Sequence, residues 1–261
     1  MKFIKGHGLT KQKTILTAKQ TQVLIGMLLG DGYLKKDTKA RSITPIFGLH
    51  TITKGFIKNI KKAIPFHYHK VRIKKPYTTI DKNNTIWNHK QSYRLESYAD
   101  QFLIEIYNKW YYDTKIIPKD LILTPLIVKY WFYGDGSTTR NKKHMNLVSL
   151  TLSTESFTIS DVEFLQQRLK IDANLYLNIN FNNHKPVLST GNTKVIQRFF
   201  NYIGQCDIAD FQYKWKIPTL LRKSIIIDNI SYPSQTTAAK ILGISQSTIS
   251  KRVKQGIYKN G

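Results

Sequence analysis

One short pattern occurs twice in this chain and limits what the chain can become. Val23-Leu24-Ile25-Gly26-Met27-Leu28-Leu29-Gly30-Asp31-Gly32-Tyr33 is followed, a domain's length further on, by Val128-Lys129-Tyr130-Trp131-Phe132-Tyr133-Gly134-Asp135-Gly136-Ser137. In both, a mainly apolar run long enough for about two helical turns ends in Gly-Asp-Gly, and the last glycine is free to adopt the positive φ that commonly stops a helix. Two such helices packed side by side bring Asp31 and Asp135 together at one end. Like charges held that close need a neutraliser, and a divalent cation with hard oxygen ligands is the usual one.

The flanks repeat as well. Residues 42–53 mix β-branched and aromatic side chains and read as a strand or hairpin arm. Phe56, Ile57, Ile60, Ala63 and Ile64 then recur at helical spacing, with Lys58, Lys61 and Lys62 on the other side, until Pro65. Strands over 68–79 and 86–97 flank the turn Asp81-Lys82-Asn83-Asn84, and a helix over 98–111 closes the unit. After Asp135 the order returns. A strand over 145–153 leads to a helix with Val162, Phe164, Leu165 and Leu169, capped by Ser160. Strands over 175–180 and 186–189 flank Asn182-Asn183-His184-Lys185, and a helix over 193–202 follows. Tyr93-Arg94-Leu95-Glu96-Ser97 parallels Pro186-Val187-Leu188-Ser189-Thr190. The pattern predicts an α+β fold from a divergent internal duplication, each half a helix, strands, helix, strands, helix unit.

Leu24, Gly26, Gly30, Asp31 and Gly32, with Tyr130-Trp131-Phe132-Tyr133-Gly134-Asp135-Gly136, resemble the paired motifs of single-chain LAGLIDADG homing endonucleases. Gly134 stands where many members carry a first Asp. Ile116-Ile117-Pro118, Leu123-Thr124-Pro125-Leu126 and Glu155-Ser156-Phe157-Thr158 with Val162-Glu163-Phe164-Leu165 extend the likeness over about residues 17–220. The resemblance implies a monomer with two pseudo-symmetric, saddle-like antiparallel sheets gripping a long DNA site. It implies that Asp31 and Asp135 bind Mg²⁺, with Mn²⁺ a substitute, and that the carbonyls of Gly30 and Gly134 complete the ligation. Each half would then cut one strand, leaving short 3′ overhangs. Gly26 would let the motif helices approach, with Tyr130 at the matching position of the other helix. It also implies a basic residue near each scissile phosphate: Lys115 for the first half, and Lys214 for the second with Lys216 a close rival.

The charge balance agrees with a polyanionic partner. Lys and Arg number 41 against 16 Asp and Glu, a formal net charge of +25. No apolar run approaches the roughly 18 residues that cross a bilayer, so nucleic acid is favoured over membrane. Lys70, Arg72 and Lys74 share a face at period two, and with Lys90 and Arg94 they are the candidate sheet contacts to DNA. Residues 1–17, with Lys2, Lys5, Lys11 and Lys13, read either as a tail or as an arm on the DNA backbone. His67 and His69 read as surface or DNA contacts rather than metal ligands. The single cysteine, Cys206, excludes an internal disulfide and a cysteine-rich zinc site. The N-terminus lacks a secretory or transit pattern, which places the protein in its compartment of synthesis. The abundance of Lys, Asn, Ile and Tyr suits an AT-rich genome such as that of a mitochondrion or plastid.

Beyond Pro218 the pattern changes. Ile225-Ile226-Ile227, the turn Asp228-Asn229 and Ile230-Ser231-Tyr232 predict a small hairpin. Ser234 caps a helix through Ala238, Ala239, Ile241 and Leu242, Gly243 turns the chain, and a second helix carries Ile249 and Val253. This spacing is that of a helix-turn-helix, and the stretch resembles the modular DNA-binding domains attached to homing nucleases. The second helix would offer Gln246, Ser247, Thr248, Ser250 and Lys251 to DNA. A packed αα-hairpin is the plainer alternative. The expected division is residues 1–120 and 121–220 for the two repeats and 221–261 for the module.

Together these readings predict a site-specific homing endonuclease that makes double-strand breaks in DNA and mobilises its host intron or intein. Two rivals stand on the same sequence: a maturase that binds its own intron RNA, and a non-catalytic transcription regulator.

Overall fold

Thr17 starts the first motif helix. Its hydroxyl accepts a hydrogen bond from the Gln20 N–H at 3.3 Å while the Gln20 side chain accepts from the Thr17 N–H at 2.9 Å, so two otherwise orphaned donors are satisfied reciprocally. In the computed structural model, which describes residues 13–36, 44–140, 148–218 and 224–260, that helix is α1 (Ala18–Leu29). It leads to β1 (Gly32–Lys35), β2 (Ile46–Thr51), α2 (Lys54–Ala63), β3 (Arg72–Lys74), β4 (Tyr77–Ile80), β5 (Ile86–His89), β6 (Ser92–Glu96) and α3 (Phe102–Trp110). The second half gives α4 (Pro125–Asp135), β7 (Gly136–Arg140), β8 (Val148–Leu152), α5 (Ile159–Ala173), β9 (Asn178–Asn182), β10 (Lys185–Thr190) and α6 (Thr193–Ile203), then a 3-10 turn at Ala209–Lys214.

The two sheets have the same topology. The first runs β1-β2-β6-β3 and the second β7-β8-β10-β9, and every pairing within them is antiparallel. Among the described residues, the first half alone carries an extra two-stranded ribbon, β4 with β5. The inner faces of both sheets close over α1 and α4 in one continuous core. Leu24, Met27, Leu28, Trp131 and Phe132 are fully buried there, with Leu49 and Leu95 from the first sheet and Leu150 and Leu188 from the second. α4 is buried over most of its circumference, and its Lys129 is neutralised by Asp207.

Four local expectations change. Gly30 ends α1 at φ −108° and Gly136 follows α4 at φ −88°, so neither helix stops through a left-handed glycine. These glycines serve close packing instead, since a Cβ on Gly32 would lie 2.7 Å from the Met27 carbonyl oxygen. The cap of α5 is Thr158, whose hydroxyl accepts from the Asp161 N–H at 3.2 Å, rather than Ser160. The strands expected over 68–79 and 86–97 each break once, which separates β3 from β4 and β5 from β6. The helix expected from residue 98 begins at Phe102, because the Asp100 carboxylate takes up the Phe102 N–H at 2.9 Å and that of Thr14 at 3.0 Å. Lys2, Lys5 and Lys11 of the arm, and the beginnings of the strands expected at 42–53 and 145–153, fall outside the described residues.

The chain divides into two compact units, Met1–Pro218 and Thr219–Gly261. The smaller has its own core of Ile225, Ile227, Tyr232, Ala238, Ala239 and Ile249. Its strands are β11 (Ile225–Ile227), β12 (Ile230–Tyr232) and β13 (Lys259–Asn260), in the order β12-β11-β13. Asp228 and Asn229, at φ 50° and 63°, make the tight hairpin turn. Ser234 caps α7 (Gln235–Leu242), Gly243 turns the chain at φ 66°, and Ser245 caps α8 (Gln246–Lys254). Among the described residues no helix is long and apolar enough to cross a membrane.

Candidate active site

Glycine sets how closely the two motif helices meet. A Cβ on Gly26 would lie 2.6 Å from the Ile127 carbonyl oxygen, and one on Gly134 would lie 2.8 Å from the Asp31 nitrogen. Both are shorter than any tolerable contact with backbone, so α1 and α4 touch main chain to main chain along their length. Asp31, just past α1, and Asp135, the last residue of α4, therefore leave the helix ends side by side.

Both carboxylates are half-buried, and burial pushes both above the ordinary carboxylate range. Asp135 is pushed to about 7, first by desolvation and then by the charge of Asp31, while Lys115 and Lys214 pull it back. Asp31 is also raised by burial, against the opposing charges of Lys214, His50 and Lys115.

The two lysines flank the pair. Lys115 Nζ donates to the Gly32 carbonyl at 3.1 Å, and Lys214 Nζ donates to Tyr133 at 2.6 Å, Gly134 at 3.1 Å and Phe132 at 3.3 Å. Burial lowers each to about 8, although both aspartates favour the charged form. Lys214 is 7% exposed, and Lys216 Nζ turns instead toward the Thr138 carbonyl at 3.4 Å. Geometry therefore places Lys214, not Lys216, beside the aspartates.

The segment carrying Lys214 is fixed at several points. Its own carbonyl accepts from the Thr138 hydroxyl at 2.6 Å. The Asp210 carboxylate accepts from the Gly55 N–H at the start of α2, at 2.9 Å, where Thr53 offers no side-chain cap. Tyr133 Oη accepts from the Asp207 N–H at 2.9 Å. Lys115 is held by a short bridge to Tyr111, whose hydroxyl accepts from the Leu34 N–H at 3.0 Å.

The donor set fits a divalent cation. Asp135, raised to about 7 by burial and by the charge of Asp31, is partly protonated at neutral pH, a cost that a bound cation would remove, and hard oxygens are what such ions take. The Gly134 carbonyl already accepts one hydrogen bond from Lys214 and keeps its second lone pair. Among the described residues no group of three or more His, Cys, Asp or Glu side chains is assembled for a metal. His69 packs on Tyr98 with ring centroids 3.8 Å apart.

Of the expected DNA contacts, Arg72, Lys74 and Arg94 lie on one exposed sheet face, around a hollow of about 460 Å³ shared with Tyr33 and His50. Lys70 and Lys90 lie outside the strands and are exposed. In the smaller unit Gln246, Ser247 and Lys251 are exposed, while Thr248 and Ser250 are half-buried. The Ser247 and Thr248 hydroxyls are engaged with that of Ser245, at 2.7 and 2.8 Å. Sequence reasoning passes over His50 and Glu155, whose charges reach the aspartates, and Glu96, buried beneath the basic face. The period-two pattern of β2 could have marked His50. Nothing local marks the others.

Residues 21–197 match the LAGLIDADG DNA endonuclease family. A protein of Wickerhamomyces canadensis named probable intron-encoded endonuclease 1 is 29% identical over 217 residues, covering 82% of this chain and 90% of that protein. An uncharacterised protein of Methanocaldococcus jannaschii is 38% identical over 80 residues, 30% of each chain. Among solved structures, the homing endonuclease I-WcaI bound to its DNA recognition sequence matches with a TM-score of 0.66 and 26% identity, covering 77% of this chain and 87% of that one.

Proposed function

The chain belongs to the LAGLIDADG DNA endonuclease family, and from that premise we propose that it makes Mg²⁺-dependent double-strand breaks in a long DNA target as a monomer. The carrying observation is the pair Asp31 and Asp135 set side by side near the half-buried Lys115 and the buried Lys214. Asp31 and Asp135, with the carbonyls of Gly30 and Gly134, would hold the ions. Bound there, Mg²⁺ supplies an activated water and charge stabilisation at the scissile phosphate and the leaving 3′ oxygen.

The residues of the chain do the rest. One aspartate comes from each repeat, so a single chain completes the site, and each half serves one strand. Lys115 and Lys214 sit where positive charge counters the charge that builds up on the phosphate during attack. Burial leaves each amine near 8, close enough to neutrality for it to take part in proton transfer. The exposed cations Arg72, Lys74 and Arg94 hold the backbone and bases of the target, and α8 of the smaller unit extends the grip on DNA. The Wickerhamomyces canadensis relative is named as intron-encoded, which supports mobility of a host intron as the role.

The test is cleavage of a randomised duplex library by the purified protein with Mg²⁺, beside Asp31→Asn and Asp135→Asn. Cuts in both strands at one long site, lost or reduced to nicks in the variants, establish the activity. Tight binding without cutting in either Mg²⁺ or Mn²⁺ overturns it.

A further inference from the structure

The two sheets offer the same lattice of outward positions, filled with different chemistry. Residues directly opposite in an antiparallel pair share a face. In the first sheet Tyr33 stands opposite Gly48 and Gly48 opposite Glu96, while Arg94 stands opposite both His50 and Arg72. In the second, Ser137 stands opposite Thr151 and Thr151 opposite Ser189, while Asn180 stands opposite Val187. Glu96 thus corresponds to Ser189, and Arg94 to Val187. Counting along the outer strands, Lys70, Arg72 and Lys74 correspond to Asn178, Asn180 and Asn182.

The odd member is Glu96. A carboxylate on a face meant for a polyanion weakens the grip, so phosphate attraction does not account for it. Its side chain is 7% exposed and gathers Lys35 at 2.8 Å, Arg94 at 3.3 Å, Arg72 at 3.5 Å and the Tyr33 hydroxyl at 3.1 Å. Tyr33 Oη in turn accepts from Arg94 Nε at 3.2 Å. Glu96 meets Arg72 through Nη2 and Arg94 through Nε, while the two side chains remain 70% and 44% exposed, so each guanidinium keeps its other nitrogens for a further partner. A guanidinium tethered at one edge and open at the other keeps its planar fork of donors in a set orientation, which a bidentate contact to guanine requires. At the corresponding place in the second sheet, the Asn180 amide donates to the Ser189 hydroxyl at 2.6 Å, and Asn178 and Asn182 are exposed beside it. A carboxamide is the side chain that matches adenine.

We propose that Glu96 is a positioning residue that sets Arg72 and Arg94 to read guanine in one half-site, while Asn178, Asn180 and Asn182 read A·T pairs in the other. This rests on the endonuclease reading above, which puts both sheet faces against DNA.

The test is selection of bound sequences from a randomised duplex library by the full chain, in chelator so that nothing is cut. The wild type is expected to enrich one half-site with guanine at defined positions and another rich in A·T. Glu96→Gln should reduce the guanine preference by about 10-fold, the scale of one bidentate contact, while non-specific affinity rises and its salt dependence steepens. Arg94→Gln should erase the preference at a single position, and Asn180→Ala should flatten a position in the opposite half. A carboxylate with only a structural role would lower the melting temperature and the affinity for every duplex together, with base preference unchanged. That result, or like base classes in both half-sites, overturns the proposal and leaves the nuclease reading intact. Enrichment of no sequence at all overturns both.

Discussion

Gly26 on α1 and Tyr130 on α4 occupy matching places in the two motifs and face each other so closely that a Cβ on Gly26 would lie 2.7 Å from that of Tyr130. The Ile127 carbonyl, at 2.6 Å from the same point, is backbone and has nowhere to go. Gly26→Val should therefore cost about 3 kcal/mol or more, which chemical denaturation would register as a lower midpoint. Trimming the partner with Tyr130→Gly in the same chain should fail to restore stability, because the clash with Ile127 remains.

The aspartate pair makes stability depend on pH in a defined sense. Asp135 is raised from its ordinary value to about 7, so its contribution is fully present below about pH 4 and is lost as pH rises through 7. Lys115 and Lys214 are lowered to about 8, so their contribution is present above their ordinary value near 10.5 and is lost as pH falls through 8. In chelator, the difference in unfolding free energy between wild type and Asp135→Asn should shift against the wild type between about pH 4 and 7, then level off. If Mg²⁺ binds at Asp135 as proposed, it displaces the proton held there, so calorimetry at pH 6 should show proton release that vanishes above pH 8. Equal binding heats in buffers of different ionisation enthalpy at pH 6 would refute this.

Replacing Lys214 or Lys115 by Met should slow cleavage by about 100-fold, the scale of one removed charge-stabilising donor, with a nicked intermediate accumulating in each case. The nick should fall in one strand for Lys214→Met and in the other for Lys115→Met. Lys216→Met removes only a hydrogen bond to the Thr138 carbonyl and should leave both strand rates close to wild type. Single-turnover assays on a duplex labelled on each strand would separate the three.

The motif helices, the order of elements in each half and the two aspartates are legible because each is written locally. Apolar runs mark the helices, Gly-Asp-Gly marks their ends, and turn residues separate the strands. What escapes depends on pairing across the chain. Glu96 is an ordinary surface-type residue until the β2-β6-β3 register surrounds it with Lys35, Arg72 and Arg94. Lys214 and Lys216 differ by two positions in a lysine-rich stretch, and only the 3-10 turn at Ala209–Lys214 decides which amine faces inward. The glycines are visible but mislead: their spacing suggests helix stops, whereas no left-handed φ is used, Gly32 and Gly136 pack tightly on Met27 and Phe132 of their own helices, and Gly26 and Gly134 let the two helices approach.

The smaller unit has a hydrophobic core that draws on its own residues alone, so removing it should leave the catalytic unit folded. A chain ended at Pro218 retains Asp31, Asp135, Lys115 and Lys214, and it should cut at the same phosphates. α8 brings Lys251, Arg252 and Lys254 in its last turn, so the shortened chain gives up these cations and should bind more weakly. If those residues meet phosphates, the dependence of affinity on salt should flatten by about one unit of slope for each phosphate no longer neutralised, and the weakening should be largest at low salt. Lys251→Ala in the full chain should reproduce one such unit. Cut position unchanged with affinity and salt slope reduced would mark the unit as an accessory grip on DNA, whereas an unchanged slope would show that α8 does not touch the backbone.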